Sequence, residues 1–326
     1  MKLLVLGGTQ FVGRAVVVDA LERGWQVDAV NRGETAPLPP GARHLSADRT
    51  DPAQLRAALG DGTWDLVVDT WARAPWVVQL STQVLSGRVG RAGYVSSISV
   101  YVDGRPPGGD ESWATVDADP AADVTDYAAD TRGGELAVLD AFPDAILARA
   151  GMILGPHENI GRLPWWLTRI ARGGRVVAPG RPDRTIQYVD VRDLARWLLD
   201  GLAGEVAGPV DIVRPTGQVS ISQLLESVRA VTGSSAELVW VPQEAIEQSG
   251  ARPWTGLPCW VPEGGEFDGF MESDASRAQS TGLQPRPVEQ TVAETWEWLQ
   301  REPMTDFRGH GLPPELEQQL LATVKA

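Results

Sequence analysis

The chain has 326 residues, 43% of them apolar and 22% charged, the make-up of an ordinary soluble globular protein large enough for one big sheet domain and a smaller unit. Its 29 basic and 43 acidic residues leave a net charge of −14, which speaks against a nucleic-acid partner. A single cysteine, Cys259, excludes an intrachain disulfide, and the three histidines His44, His157 and His310 show no metal-ligand spacing.

The chain opens on an apolar strand, Leu3–Leu6, followed by Gly7, Gly8, Thr9 and Gln10, with Gly13 at the mouth of a helix that runs through Arg14 and Ala20. A strand that ends in glycines and turns directly into a helix aims unpaired backbone N–H groups and the positive helix end at a phosphate. A second strand follows at Gly24–Arg32, which makes a β-α-β unit of roughly thirty residues, the setting of a dinucleotide site. Gly7, Thr9, Gln10, Phe11, Val12 and Gly13 are therefore candidate cofactor contacts. In a GxxGxxG turn the middle glycine allows backbone to approach the pyrophosphate, and here that position is Gln10. Either the loop sits farther out or the Gln10 amide itself donates to phosphate.

At the tip of the second strand, a carboxylate would hold the ribose 2′-hydroxyl and repel a 2′-phosphate, but the residues present are Asn31 and Arg32. Arg32 can pair with a phosphate, so the expected cofactor is NADP(H), with NAD(H) as the alternative. The bland reading of Arg32 is a solvated surface arginine. Further on come a strand at Ala42–Ala47, then Asp48, a helix starting near Asp51-Pro52, and buried strands at Trp64–Asp69, Ala92–Ser96 and Ala145–Arg149. Such alternation predicts an α/β fold, a Rossmann-type doubly wound parallel sheet with ligands at the carboxyl ends of its strands. Asp48, Arg49, Asp69, Thr70 and Trp71, at or just past those ends, join the cofactor-binding candidates.

Proline and glycine thicken from Gly155 onward, and Pro179–Pro182 and Pro253–Gly269 read as loops of a smaller, less regular C-terminal lobe. The expected division is 1–155 with 185–215 for the dinucleotide unit, and 156–184 with 216–326 for a substrate lobe. The chain begins on its first strand with no signal segment and carries no apolar run able to span a bilayer, so no membrane partner and a cytoplasmic location are expected.

Two segments carry chemistry. The strand ending in Ser96-Ser97 runs into Ile98-Ser99-Val100-Tyr101, and Asp126-Tyr127-Ala128-Ala129-Asp130-Thr131 starts a helix that continues to Glu135 and Leu139. Serine and tyrosine hydroxyls converging beside a nicotinamide would hold a carbonyl oxygen and hand it a proton. In these residues the chain resembles the extended, atypical short-chain dehydrogenase/reductases, the NAD-dependent epimerase/dehydratase group, in a branch whose turn reads GGTxFxG. The resemblance extends over Asp48, the Ser-x-x-Val-Tyr spacing from Ser97, the Tyr-x-x-x-Lys-x-x-x-Glu frame at Tyr127 and Glu135, Arg149-Ala150-Gly151 with Gly155-Pro156, Tyr188–Asp193, and Asp274–Gly282.

The resemblance implies Tyr127 as proton donor, Ser97 as the group orienting a carbonyl, Asp48 at the adenine, and a homodimer built through helices flanking the site. One position departs from the pattern, because the lysine four residues after the tyrosine is Thr131. Threonine can keep some of the lysine's hydrogen bonding to the nicotinamide ribose, hence a catalytic candidate, but none of its charge. Arg132, one position further, points to another side of the helix. The departure reads as drift, specialised chemistry or an engineered replacement.

Thirteen tryptophans are many for this length. Trp71 and Trp166, with Ser99, are the candidate substrate contacts, since aromatic walls suit a flat or apolar substrate; core packing is the competing role. Trp197, Trp296 and Trp298 fall at amphipathic helical spacing and read as packing. The function expected is NAD(P)-dependent oxidation, reduction or epimerisation at a carbonyl or hydroxyl of a small organic molecule, a specialised metabolite among them. The alternatives are a nucleotide-sugar epimerase or dehydratase, and a catalytically impaired cofactor-binding sensor or scaffold.

Overall fold

A computed structural model describes residues 1–265 and 267–324. Its elements follow in chain order: β1 (Lys2–Leu6), α1 (Phe11–Glu22), β2 (Gln26–Asn31), β3 (Arg43–Ser46), α2 (Pro52–Leu59), β4 (Trp64–Asp69), α3 (Pro75–Leu85), β5 (Val89–Ser97), α4 (Tyr127–Ala141) and β6 (Ile146–Ala150). The chain goes on through β7 (Met152–Leu154), α5 (Arg162–Ala171), β8 (Arg175–Pro179), β9 (Tyr188–Asp190), α6 (Val191–Ala203), β10 (Gly208–Ile212), α7 (Ile221–Thr232) and β11 (Glu237–Val241). It closes with α8 (Gln243–Gln248), α9 (Asp268–Met271), α10 (Ser276–Ser280), α11 (Val288–Arg301) and α12 (Pro314–Thr323).

Seven strands form one parallel sheet in the order β10-β6-β5-β4-β1-β2-β3. Strands that are apolar without alternation must be covered on both faces. Helices α1 and α6 bury one face through Val16, Val17, Leu194 and Leu198, and α2, α3 and α4 bury the other through Leu55, Val78 and Val138. The strand order reverses between β1 and β4, so their carboxyl ends open a crevice at the switch point. Strand β5 starts earlier than the apolar run Ala92–Ser96 predicts, because Val89 and Arg91 pair with Trp64 and Leu66 of β4 at the solvent end of the sheet.

The second lobe gathers the parallel pair β8/β11 with α5, α7, α11 and α12 around Trp166, Val176, Leu224, Trp260 and Val292. The segment after α9 returns to the sheet unit: Ala278 and Leu283 join the core under α6, and the Trp197 indole donates to the Thr281 hydroxyl at 3.1 Å. Residues 276–283 therefore pack outside the lobe to which the sequence division assigns them, because these apolar side chains cover a face of α6. Trp197 and Trp298 are buried packing residues. Among the described residues, no helix is long and apolar enough to cross a membrane.

Candidate active site

The turn after β1 is held open by glycine. Gly7 and Gly8 take φ values of 128° and 97°, in the region that side chains avoid. A Cβ on Gly7 would stand 2.6 Å from the Thr70 Oγ1, and one on Gly13 would stand 2.7 Å from the backbone nitrogen of Gly8. The start of α1 therefore presses directly on the loop backbone. Phe11, the first residue of α1, adopts a positive φ of 31°, a strained conformation of the type that gathers at functional sites. The Asn31 amide buttresses the loop, donating to the Gly7 carbonyl at 3.2 Å and accepting from the Gly33 N–H at 2.9 Å. This glycine cradle at a helix N-terminus fits a pyrophosphate. At the position of the missing glycine, the Gln10 side chain accepts a bond from Asn159 at 3.3 Å, across the mouth of the crevice.

Beyond the loop lies a cavity of 970 Å³, whose walls include Gln10, Phe11, Val12, Gly13, Thr70, Ser97, Ser99 and Tyr127. Ser97 ends β5, and its Oγ accepts the Ser99 N–H at 3.1 Å and donates to the Ser99 hydroxyl. Tyr127 is the first residue of α4, set there by Asp126, which caps the helix by accepting the Ala129 N–H at 3.0 Å. Its side chain stands in the cavity wall and is 54% exposed. Asp130 is occupied by the Thr125 N–H and hydroxyl, both at 2.8 Å.

Behind this wall, Glu135 is fully buried and accepts two bonds from Arg149, at 2.8 and 2.9 Å, with further bonds from Ser96 and Arg132. Burial pushes the Glu135 pKa up, but the Arg149 guanidinium and the other donors outweigh it and hold the carboxyl below its usual range. Arg149 in turn donates to the Tyr101 hydroxyl at 3.0 Å, and that hydroxyl donates to Asp211 at 2.7 Å. The floor of the cavity is thus tied to α4 by an unbroken chain of buried polar groups.

The model of the NAD dependent epimerase/dehydratase family matches residues 3–209, a span that contains the glycine cradle, Ser97 and Tyr127. The chain belongs to that family. As an epimerase/dehydratase family member it is an NAD-dependent enzyme. Its fold is similar to that of the enzyme WbmH of Bordetella bronchiseptica, solved in complex with NAD+, at 20% identity and a TM-score of 0.69, covering 93% of this chain and 99% of that one. It is similar also to a putative epimerase from Burkholderia cenocepacia J2315, at 21% identity and 0.69 over 92% and 98% of the two chains. A UDP-glucose 4-epimerase of Thermotoga maritima, solved with UDP-glucose, is similar at 18% identity and 0.67 over 92% and 99%. Likeness at these identities establishes the fold. A comparison with curated proteins found no match.

Several residues singled out by the sequence stand elsewhere in this family member. Thr131 is 1% exposed, and its hydroxyl donates to the Tyr127 carbonyl at 2.7 Å, so it is spent inside α4 instead of facing the cavity. Arg49 and Asp69 form a buried bidentate pair at 2.7 and 2.6 Å, and Asp69 also accepts the Trp71 N–H, which leaves both charges engaged with protein. The Trp71 ring lies over Arg49, with its indole donating to the Ala74 carbonyl, away from the cavity walls. Trp166 is fully buried in the second-lobe core and donates to the Pro258 carbonyl at 2.7 Å, so it packs the lobe without reaching the cavity. Asp48 turns its carboxylate to the Thr50 N–H and hydroxyl, which hold its pKa down. Thr9 is half-buried at the turn, outside the cavity walls. Arg32 is exposed at the tip of β2, 3.3 Å from Glu34.

The structure also brings in residues that sequence reasoning did not single out as site residues: Tyr101, Arg105, Arg162, Trp254 and Phe270 line the cavity. Trp254 is one of the tryptophans that the family resemblance puts in the substrate lobe, although the sequence ranks Trp71 and Trp166 above it, and nothing local marks Arg162.

Proposed function

We propose that the enzyme reduces, oxidises or epimerises a small organic molecule through a carbonyl, with Tyr127 as proton donor and Ser97 orienting the carbonyl oxygen. One observation carries this reading: the Tyr127 and Ser97 side chains line the same cavity as the glycine cradle. The residues that would hold the cofactor are those of the loop from Gly8 to Gly13, through their N–H groups, with Asn31 and Arg32 at the ribose end; the Gly7 N–H is taken by the Val30 carbonyl at 2.9 Å. When bound, the cofactor supplies or accepts the hydride. In reduction the carbonyl oxygen takes the Tyr127 proton, and the exposure of Tyr127 lets water replace it without a lysine relay. The Ser99 N–H fixes the Ser97 oxygen, so its proton can turn toward the substrate. We further propose that Arg32, which has no acidic residue at the ribose position to oppose it, exchanges Glu34 for a 2′-phosphate and favours NADPH over NADH.

A second reading, a cofactor-binding sensor without turnover, is favoured by the inward-turned Thr131 hydroxyl where the family pattern has lysine. The two separate in one assay, NADPH and NADH oxidation with a panel of ketones, aldehydes and nucleotide-sugar ketones. Consumption with at least one carbonyl supports the enzyme; tight cofactor binding with no oxidation by any of them supports the sensor. Equal or stronger binding of NADH would overturn the NADPH preference.

A further inference from the structure

The cavity wall contributed by the second lobe is made of Pro253, Trp254, Val261, Phe267 and Phe270, an apolar surface with one cation in it. That cation is Arg162, the first residue of α5, whose guanidinium carbon lies 4.7 Å from the centre of the Trp254 ring. The Trp254 ring meets Phe270 edge-on, with centroids 5.1 Å apart and an interplanar angle of 90°. The other arginine in the cavity walls, Arg105, also has a buried Nε without a partner among the described residues, but its terminal nitrogens are engaged by Asp211 at 2.6 Å and Ser273 at 3.0 Å. Arg162 has no such partner: its Nε is buried and makes no hydrogen bond among the described residues. Glu158, one turn earlier, spends its carboxylate on the backbone N–H groups of Arg162 and Leu163 at 2.7 and 3.3 Å, capping α5.

Glu158 lies close enough for the Arg162 charge to favour its ionised form, but among the described residues no carboxylate pairs directly with the guanidinium; a partly buried guanidinium without a direct ion pair is readily satisfied by an anion from outside. The platform beneath it is held at a price in backbone strain. Trp254 has a φ of 65°, in the left-handed region that a bulky residue avoids, and is kept there by its N–H bonded to the Trp260 carbonyl at 3.0 Å. Asp103, the one carboxylate among the described walls, is solvent-exposed.

We propose that Arg162 and Trp254 form the specificity subsite of this cavity, and that the substrate is an apolar molecule bearing one anionic group, a carboxylate or a phosphate. The anion meets the guanidinium, and the apolar body lies in the corner formed by the perpendicular Trp254 and Phe270 rings. This assignment rests on the reading of the cavity as a substrate site, and it is tested by binding, not by turnover, so that the two can fail separately.

The protein saturated with NAD+ is titrated calorimetrically with cinnamate, its neutral amide cinnamamide, phenyl phosphate and UDP. Cinnamate or phenyl phosphate is expected to bind at least about tenfold more tightly than cinnamamide, as a charge-assisted hydrogen bond implies; whichever of the two is preferred identifies the anion. Arg162→Gln should abolish the preference, Arg162→Lys should restore part of it, and Trp254→Leu should weaken charged and neutral probes alike. NAD+ affinity serves as the check that each variant is folded, and the comparison of cinnamate with cinnamamide on the unaltered protein stands without any variant. Cinnamamide binding as tightly as both anions, an anion preference that survives Arg162→Gln, or UDP binding more tightly than cinnamate independently of Arg162 would each overturn the subsite. An anion preference intact in a protein that turns over no carbonyl supports the subsite and overturns the catalytic reading alone.

Discussion

Replacing Gly13 by alanine is the sharpest test of the cofactor cradle. The new Cβ would stand 2.7 Å from the Gly8 nitrogen and 3.1 Å from its Cα, where ordinary contact begins at 3.4 Å. Both atoms are backbone, so no side chain can swing aside, and the loop must move out by about 0.7 Å or α1 must tilt. Forcing a methyl into a closed contact costs about 1–3 kcal/mol of stability. The displaced atoms belong to the loop whose N–H groups would hold the pyrophosphate. Loss of about 1.4–2.8 kcal/mol from these charge-assisted bonds gives an NAD+ affinity 10- to 100-fold weaker. Gly24 supplies the control, because it also has a positive φ, 75°, but a Cβ there meets nothing within 4 Å. Gly24→Ala should cost about 1–2 kcal/mol of stability through its left-handed backbone and leave NAD+ affinity unchanged. Calorimetric titration with NAD+ and urea unfolding on the same preparations separate the two effects. Gly13→Ala binding NAD+ as the unaltered protein does, or Gly24→Ala weakening it equally, would refute the cradle.

Tyr127→Phe should lower turnover by about 10²- to 10⁴-fold with NAD+ affinity unchanged, as loss of a general acid requires; steady-state rates and titration check it, and normal turnover would remove Tyr127 from the mechanism. Glu135→Gln leaves the buried Arg149 charge without its counter-ion and should destabilise the fold by about 3–5 kcal/mol, read from urea unfolding; a loss below about 1 kcal/mol would show that the pair is not the organiser of this wall. Glu158 is raised by burial from an ordinary 4.5 to about 7, so the folded protein holds an extra proton across that window and stability falls there as pH rises, by up to about 1.4 kcal/mol per unit. Asp211, raised by burial to about 6, acts in the same sense, while His157 and His310, lowered by burial, act in the opposite one. Glu158→Gln removes one contributor alone, so the stability of the variant relative to the unaltered protein should climb between pH 4.5 and 7; a flat difference would overturn the assignment.

Much of the sheet unit was legible because its signals are local. The apolar strand at Leu3–Leu6, the paired glycines at a strand end and the Asp51-Pro52 helix start each depend on a few neighbouring residues and on backbone geometry. The β4 strand runs over Trp64–Asp69, the limits that the sequence marks. The positions of Ser97 and Tyr127 were legible because a strand end and a helix start place them, and both residues line one cavity; their pairing in catalysis is what we propose. Thr131 shows where local reasoning stops. Its identity breaks the family pattern in the sequence, but only the helix shows that its hydroxyl is consumed by the Tyr127 carbonyl.

The sequence by itself determined the α/β alternation, the family and the glycine cradle, since periodicity, turn residues and motif spacing are properties of short stretches of chain. Tertiary structure alone decided which side chains the cavity receives. Arg49 and Asp69 look like ligands at strand ends until each is seen to neutralise the other, and Trp166 looks like a substrate wall until the core of the second lobe closes over it. Arg162 and Trp254 carry no motif and lie far apart in the chain, yet they meet in one wall of the cavity. The physical reason is that burial and charge pairing are long-range: whether a polar or aromatic group is free to meet a ligand depends on what the rest of the chain folds against it.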